Sequence, residues 1–450
     1  MSKHFKTFLL CTALSLNIAL IAAPASAEEL TLEQAVSRGV ISHPEYGVVA
    51  NNRMATQEEL EQGEGLKRPS IDLRAAGGRD WNDNSNTRAR GESSDARNIY
   101  DYSATLTQML FDGWNTGGEV QRQKDRVKSA AYRVEETAQF LGLSVVEAYL
   151  EVMRQRDLLQ IAKDNVREHV SMLEEISNGA QAGRSTQADV AQAESRVANA
   201  RANEAAVRET LRIAESQFIR AAGEKPDILV MPKVPTESLQ QSVDQAVEVA
   251  MTSTPTLGIF EADADVAWSE YKKTGSAFYP KVDFQLQARQ TNDLAGIESV
   301  DKNASAQVIA NWNIYRGMID THARREAIYR HAQAKERRAQ EARKIEDDLR
   351  QTWASMVAAG ERAKEFNAQA DANAKVVQGY KDQFELDRRT LLDVLDSQNE
   401  LFVSRSNAVN AQYLEILAVY RVLALQGKLL PALGVPSPRE SSLEPKISSK

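Results

Sequence analysis

Two acids, Asp393 and Asp396, have the type and spacing to do chemistry. They stand in Asp387-Arg-Arg-Thr-Leu-Leu-Asp-Val-Leu-Asp-Ser-Gln398 at i and i+3, so a helix puts both on one face. The chemistry such a face offers is electrostatic, and the reading taken here is that it looks into a pore. An echo lies about two hundred residues earlier, Gly183-Arg-Ser-Thr-Gln-Ala-Asp-Val-Ala-Gln. Each copy reads as a tight turn and a helix start. Thr186 or Thr390 can cap, and Asp189 or Asp393 three residues on suits the exposed N–H groups of the first turn. Only the second copy has the second acid. The plainer reading is a capped helix start with its acids on a solvated face. No set of nucleophile, base and orienter and no phosphate loop is present, and the histidines are scattered. No enzyme activity, cofactor or metal site is expected.

The elements that must position these acids begin behind an export signal. Lys3 and Lys6 precede an apolar run from Phe8 to about Ala23, then Ala25-Ser-Ala27, which is the pattern of a secretory signal peptide over residues 1–27. Cleavage after Ala27 removes two lysines and no acid, taking the formal charge from −8 to −10. That sign argues against nucleic acid as a partner. The one cysteine, Cys11, leaves with the signal, so no disulfide is expected. No apolar run near 18 residues remains, so no transmembrane helix is expected. An exported chain of this kind is periplasmic or carries an outer-membrane β-barrel.

The chain is a tandem duplication. Thr31-Leu-Glu-Gln-Ala-Val aligns with Ser242-Val-Asp-Gln-Ala-Val, and the same offset pairs Pro44 with Pro255 and Pro69 with Pro280. A slightly shorter offset then pairs Gly113 with Gly317, Asp189 with Asp393 and Gly223 with Gly427. Each half predicts a short capped helix, a helix opened by proline, and two alternating strands around a polar loop. A helical hairpin whose first arm runs about 67 residues, or roughly 100 Å, completes the half. The boundaries drawn are a first repeat at 28–223, with strands near 70–81 and 99–111 and a hairpin at 113–222. A linker at 224–241 follows. The second repeat is at 242–430, with strands near 281–292 and 304–315 and a hairpin at 317–427. The tail, 431–450, is rich in proline, serine and charge and is expected to be disordered. Val145, Val152, Leu159, Val166 and Leu173 recur at spacing seven, predicting left-handed coiled-coil packing.

Ile71, Leu73 and Ala75 alternate with Asp72 and Arg74, and Val282, Phe284 and Leu286 with Asp283 and Gln285. One face is apolar and one polar, with aromatics gathered at the strand ends as interfacial belts. Four strands cannot close a barrel, and open edges do not persist in hydrocarbon. Several chains are therefore required: two would supply eight strands with a filled interior, three would supply twelve with room for a lumen. The rival reading is a soluble periplasmic coiled-coil adaptor or scaffold with an ordinary small sheet.

Signal, duplication, paired strands, long helices and Arg389-Thr390-Leu-Leu-Asp393-Val394-Leu395-Asp396 together resemble the TolC family of outer-membrane channel proteins. The resemblance covers essentially the whole mature chain. It implies a mainly α fold with a β-barrel part: a homotrimer whose twelve-stranded barrel in outer-membrane lipid continues as a long α-helical barrel through the periplasm. It implies an exit duct for multidrug efflux or type I secretion, joined by a periplasmic adaptor to an inner-membrane transporter, either an efflux pump or an ABC exporter. It implies that Asp393 and Asp396 ring the periplasmic entrance, six carboxylates in a trimer that favour cations, and that Arg389 links to Asp189 to hold the entrance shut. Gly183, Arg184, Ser185, Thr186, Arg388 and Thr390 are the expected turn positions for adaptor docking. Phe384 stands where the family has a tyrosine bonded to the first-repeat acid, and Asp387 where it has a glycine.

Overall fold

A computed structural model describes residues 29–92, 96–294, 298–386 and 388–442; the expected signal peptide, Asp387 and residues 443–450 lie outside them. Thr31 caps α1 (Leu32–Ser42) through a capping box with Gln34, and Pro44 opens α2 (Pro44–Gly65). After β2 (Ser70–Trp81), a short α3 (Ser85–Ala89) and β3 (Ala96–Phe111), α4 (Asn115–Gln181) runs for 67 residues and α5 (Gln187–Ala222) returns. The second half repeats the order: α6 (Val243–Ser253) capped by Ser242, α7 (Pro255–Thr274), β5 (Lys281–Asn292), β6 (Val300–Asn311), α8 (Ile319–Glu385), again 67 residues, and α9 (Leu391–Leu425).

The strands form one antiparallel sheet in the order β2-β3-β5-β6. Its register puts Leu73, Ala104, Ala288 and Ala304 in one row, and Ile71, Leu106, Leu286 and Ala306 in the next. These side chains share the apolar face foreseen from the alternation. No described residue covers it, and Leu73 is 81% exposed. β2 and β6 are the unpaired edges. β3 starts three residues before the expected position, and β6 covers 300–311 rather than 304–315. The cause is pairing: Lys281 to Asn292 of β5 match Asn311 to Val300 of β6 residue for residue. Phe111, Trp114 and Tyr279 meet edge to face where sheet meets helices, and Tyr100 and Tyr102 stack near the loops.

α2 and α5 both pack along α4, and α7 and α9 along α8, so two shorter helices do lie beside each long one. α4 also meets α7 and α9, which makes it the centre of the chain. Its buried stripe keeps a seven-residue period throughout: Val120, Val127, Val134, Leu141, Ala148, Gln155, Ala162, His169 and Ile176. The expected phase is corrected by three positions. Val145 and Val152 are buried, but Leu159, Val166 and Leu173 are only half-buried, because Gln155 and His169 occupy the true seam and hid it.

The main core sits where the stacked helices break. Val36, Val146, Tyr149, Phe218, Tyr420, Leu423, Leu429 and Leu430 are buried together there. The linker contributes β4 (Ile228–Leu229), parallel to β1 (Glu29–Leu30), and the Tyr149 hydroxyl donates to the carbonyls of Leu30 and Val230. One further expectation fails in this region. The tail is packed at least to residue 442: α10 (Leu429–Ala432) leads to buried Leu433 and Val435, Tyr46 bonds to Glu440, and Arg53 donates to the Ser442 carbonyl. Apolar residues just before the polar run dock it, and composition averaged over twenty residues conceals them. Among the described residues α9 is the one helix with the length and composition of a membrane span. Its buried side chains nevertheless serve two protein cores.

Candidate functional site at the helix turns

Roughly 100 Å from the sheet, the four long helices converge on a small core. Met172 and Ile176 of α4, Ala193 of α5 and Leu391, Val394 and Leu395 of α9 are buried there, with Tyr380 and Phe384 of α8 against them. The apolar residues of the motif therefore hold the two turns side by side. Phe384 is a packing residue here.

Each turn is built from its own sequence. Gly183 takes φ +74°, which lets Arg184 donate its N–H to the Gly179 carbonyl. The Thr186 hydroxyl accepts from the Asp189 N–H at 3.2 Å, while the Thr186 N–H and hydroxyl donate to the Asp189 carboxylate at 2.9 and 2.7 Å. Thr390 and Asp393 repeat the set at 3.3, 3.1 and 2.8 Å. The threonine hydrogen bonds hold both carboxyls below the usual aspartate range. Asp189 and Asp393 are thus capping-box acids, in the terms of the plainer reading, and both are half-buried.

Asp396 has another partner. Arg196 of α5 donates to its carboxylate at 2.9 Å, joining the first hairpin to the second. Glu168 of α4 and Lys381 of α8 make a second tie between the hairpins. Within one chain, no ion pair among the described residues joins Arg389 to Asp189. The Arg389 guanidinium lies 4.2 Å from the Tyr380 ring centroid, its Nε donates to Gln383 at 3.0 Å, and Asp393 is 3.9 Å away. Arg389 and Asp189 do share a cleft of about 370 Å³, also lined by Arg184, Ser185, Phe384 and Thr390.

Higher up, between α4, α8 and α9, a second cleft of about 320 Å³ has Gln398 in its wall. Gln398 is buried and its amide has no hydrogen-bond partner. His169 is also buried, and burial and then Arg196 push its pKa down, which leaves the ring neutral. Of the residues that sequence reasoning missed, Arg196 left one trace: it falls seven residues after Asp189, on the same helix face. Glu168 and Lys381 left none.

Comparison with known proteins agrees with this architecture. The family described as Outer membrane efflux protein matches residues 41–224, nearly the whole first repeat. The chain is 27% identical over 351 residues to the outer membrane efflux protein BepC of Brucella suis, covering 76% of this chain and 75% of that one. It is 24% identical over 398 residues to the outer membrane protein TolC of Vibrio cholerae, covering 86% and 88%. The crystal structure of the outer membrane protein VceC from Vibrio cholerae superposes with a TM-score of 0.74 at 13% identity, covering 90% of this chain and 97% of that one. A soluble scaffold has no use for the uncovered apolar sheet. Along most of its length the chain is similar to TolC-like outer membrane efflux proteins, and it is an outer-membrane protein that extends into the periplasm.

Proposed function

We propose that three copies of the chain form a duct through which cargo leaves the cell. One observation carries this reading: a four-stranded sheet with an uncovered apolar face and two free edges continues into two 67-residue helices. Lipid covers the face, and neighbouring chains complete the edges. Three chains give twelve strands, enough for a water-filled lumen. The contrast between the two rods supports a ring. α4 is wrapped by its own chain, whereas α8 buries only six side chains along its length and leaves Tyr329 and Val357 exposed. That face fits against the next chain.

The turns form the periplasmic entrance, and their outward movement opens it. Asp393 and Asp396 lie beside the entrance and favour cations, with Asp396 partly neutralised by Arg196. A periplasmic adaptor docks at Gly183 to Thr186 and at Arg388 and Thr390, and connects the duct to an inner-membrane transporter. Efflux of small toxic molecules is the favoured cargo, in line with the family description. Light scattering of the full-length protein in detergent and planar-bilayer recording test this reading. A trimer that conducts is expected, while a monomer, or a protein that never inserts, overturns it.

A further inference from the structure

The face of the sheet that meets lipid is almost free of charge, and the two exceptions have one sign and one location. The register assigns Asp72, Asp80, Asp101, Asp283 and Asp301 to the opposite, lumenal face, alternating with the apolar residues. Among the described residues, the only charged strand residues on the lipid face are Arg79 of β2 and Lys302 of β6. Both are exposed, and neither forms an ion pair with any described residue. Lys302 lies in the row Ala75-Tyr102-Gln290-Lys302, one step beyond the last apolar row and level with the stacked Tyr100 and Tyr102. Arg79 lies four residues farther along β2, next to exposed Trp81. Both are at the loop end of the sheet, the end away from the periplasmic helices.

We infer that Arg79 and Lys302 form a binding site for the phosphate of outer-leaflet lipid headgroups; this rests on the closed barrel proposed above. Aromatic rows mark the level where hydrocarbon gives way to headgroups. Lys302 stands at that level, and Arg79 stands about 13 Å along the strand above it, a span that its long side chain and the strand tilt bring into the headgroup layer. A cation with no acid partner at that level is costly against neutral surroundings and favourable against phosphate, which both side chains bind through charge-assisted hydrogen bonds. The periplasmic end of the same face has no such pair, so the preference is for the outer leaflet. β2 and β6 are the two edges of the sheet, so in a closed ring Arg79 of one chain and Lys302 of the next approach the same seam. One phosphate-bearing headgroup then contacts two subunits.

The test uses the assembled full-length protein in neutral-detergent micelles, offered lipid A, dephosphorylated lipid A or phosphatidylcholine, with bound lipid counted by native mass spectrometry. The wild type is expected to prefer lipid A by about fivefold for each cation. The double variant R79Q/K302Q is expected to bind the three lipids equally while remaining an oligomer, and K302R to keep the preference. A double variant that retains the preference, or a wild type that has none, overturns the site. Inorganic phosphate at the same concentration as the lipid should leave binding unchanged, and full displacement by it would overturn the assignment to lipid. Oligomer mass and bilayer conductance on the same preparation separate failure of the site from failure of the duct.

Discussion

Asp396 illustrates how a residue's partner changes its meaning. As a free acid it adds to the charge of an entrance, and as the partner of Arg196 it fastens one hairpin to the other. Arg389, by contrast, rests within the chain on Tyr380 and Gln383 of its own hairpin. An exposed pair of this kind contributes about 0.2–1 kcal/mol. Losing it therefore shifts a closed-to-open ratio by about 1.4- to 5-fold per chain. Arg196→Ala should raise single-channel conductance, and the charge exchange R196D/D396R should bring it back. Arg389→Ala should leave conductance near the wild-type level. Bilayer recordings in which Arg389→Ala opens the channel and Arg196→Ala does not would return the lock to Arg389. The capping pairs Thr186/Asp189 and Thr390/Asp393 were legible because a capping box spans three residues. Arg196 and Asp396 are two hundred positions apart, and only the packing of the helices between them brings them within 2.9 Å.

At the scale of elements, the passage from strand to rod is the most demanding piece of backbone. Gly113 and Trp114, and again Gly317 and Met318, take left-handed conformations in succession before the 67-residue helices begin. The duplication marked Gly113 and Gly317 as equivalent, but their surroundings differ. A Cβ on Gly113 would lie 2.7 Å from the Ser276 carbonyl oxygen, whereas on Gly317 it would meet nothing within 4 Å. Gly317→Ala should thus cost only the left-handed strain of an L residue, about 1–2 kcal/mol. Gly113→Ala should cost about 1–3 kcal/mol more, because a backbone oxygen cannot move aside. Thermal unfolding of the two variants checks the order, and equal losses would show that the Ser276 contact relaxes. The long helices themselves were legible in outline from the missing prolines. The phase of the seam was not, since burial of Gln155 and His169 depends on which helices surround α4.

For the whole molecule, the C-terminal segment matters more than its composition suggests. Leu429, Leu430, Leu433 and Val435 all belong to the main core, together with Tyr149 and Tyr420. A chain ending at Gln426 exposes those apolar contacts, and each deeply buried leucine is worth about 1.5–3 kcal/mol. That truncation should prevent the proposed trimer from forming, read by light scattering in detergent, and a chain ending at Ser442 should still form it. A stable oligomer from the shorter chain would mean that the core closes without its last turn. By itself the sequence determined the duplication, the strand faces, the rods, both caps and the resemblance to the TolC-like channels. All of these are written in local periodicities and in short spacings that a single element reads out. Tertiary structure alone decided that Arg196 joins the two hairpins of one chain, that α4 rather than α8 is wrapped by its own chain, and that the tail is docked. Each of these depends on which surfaces meet, and surfaces far apart in the chain are brought together by burial, which no local spacing encodes.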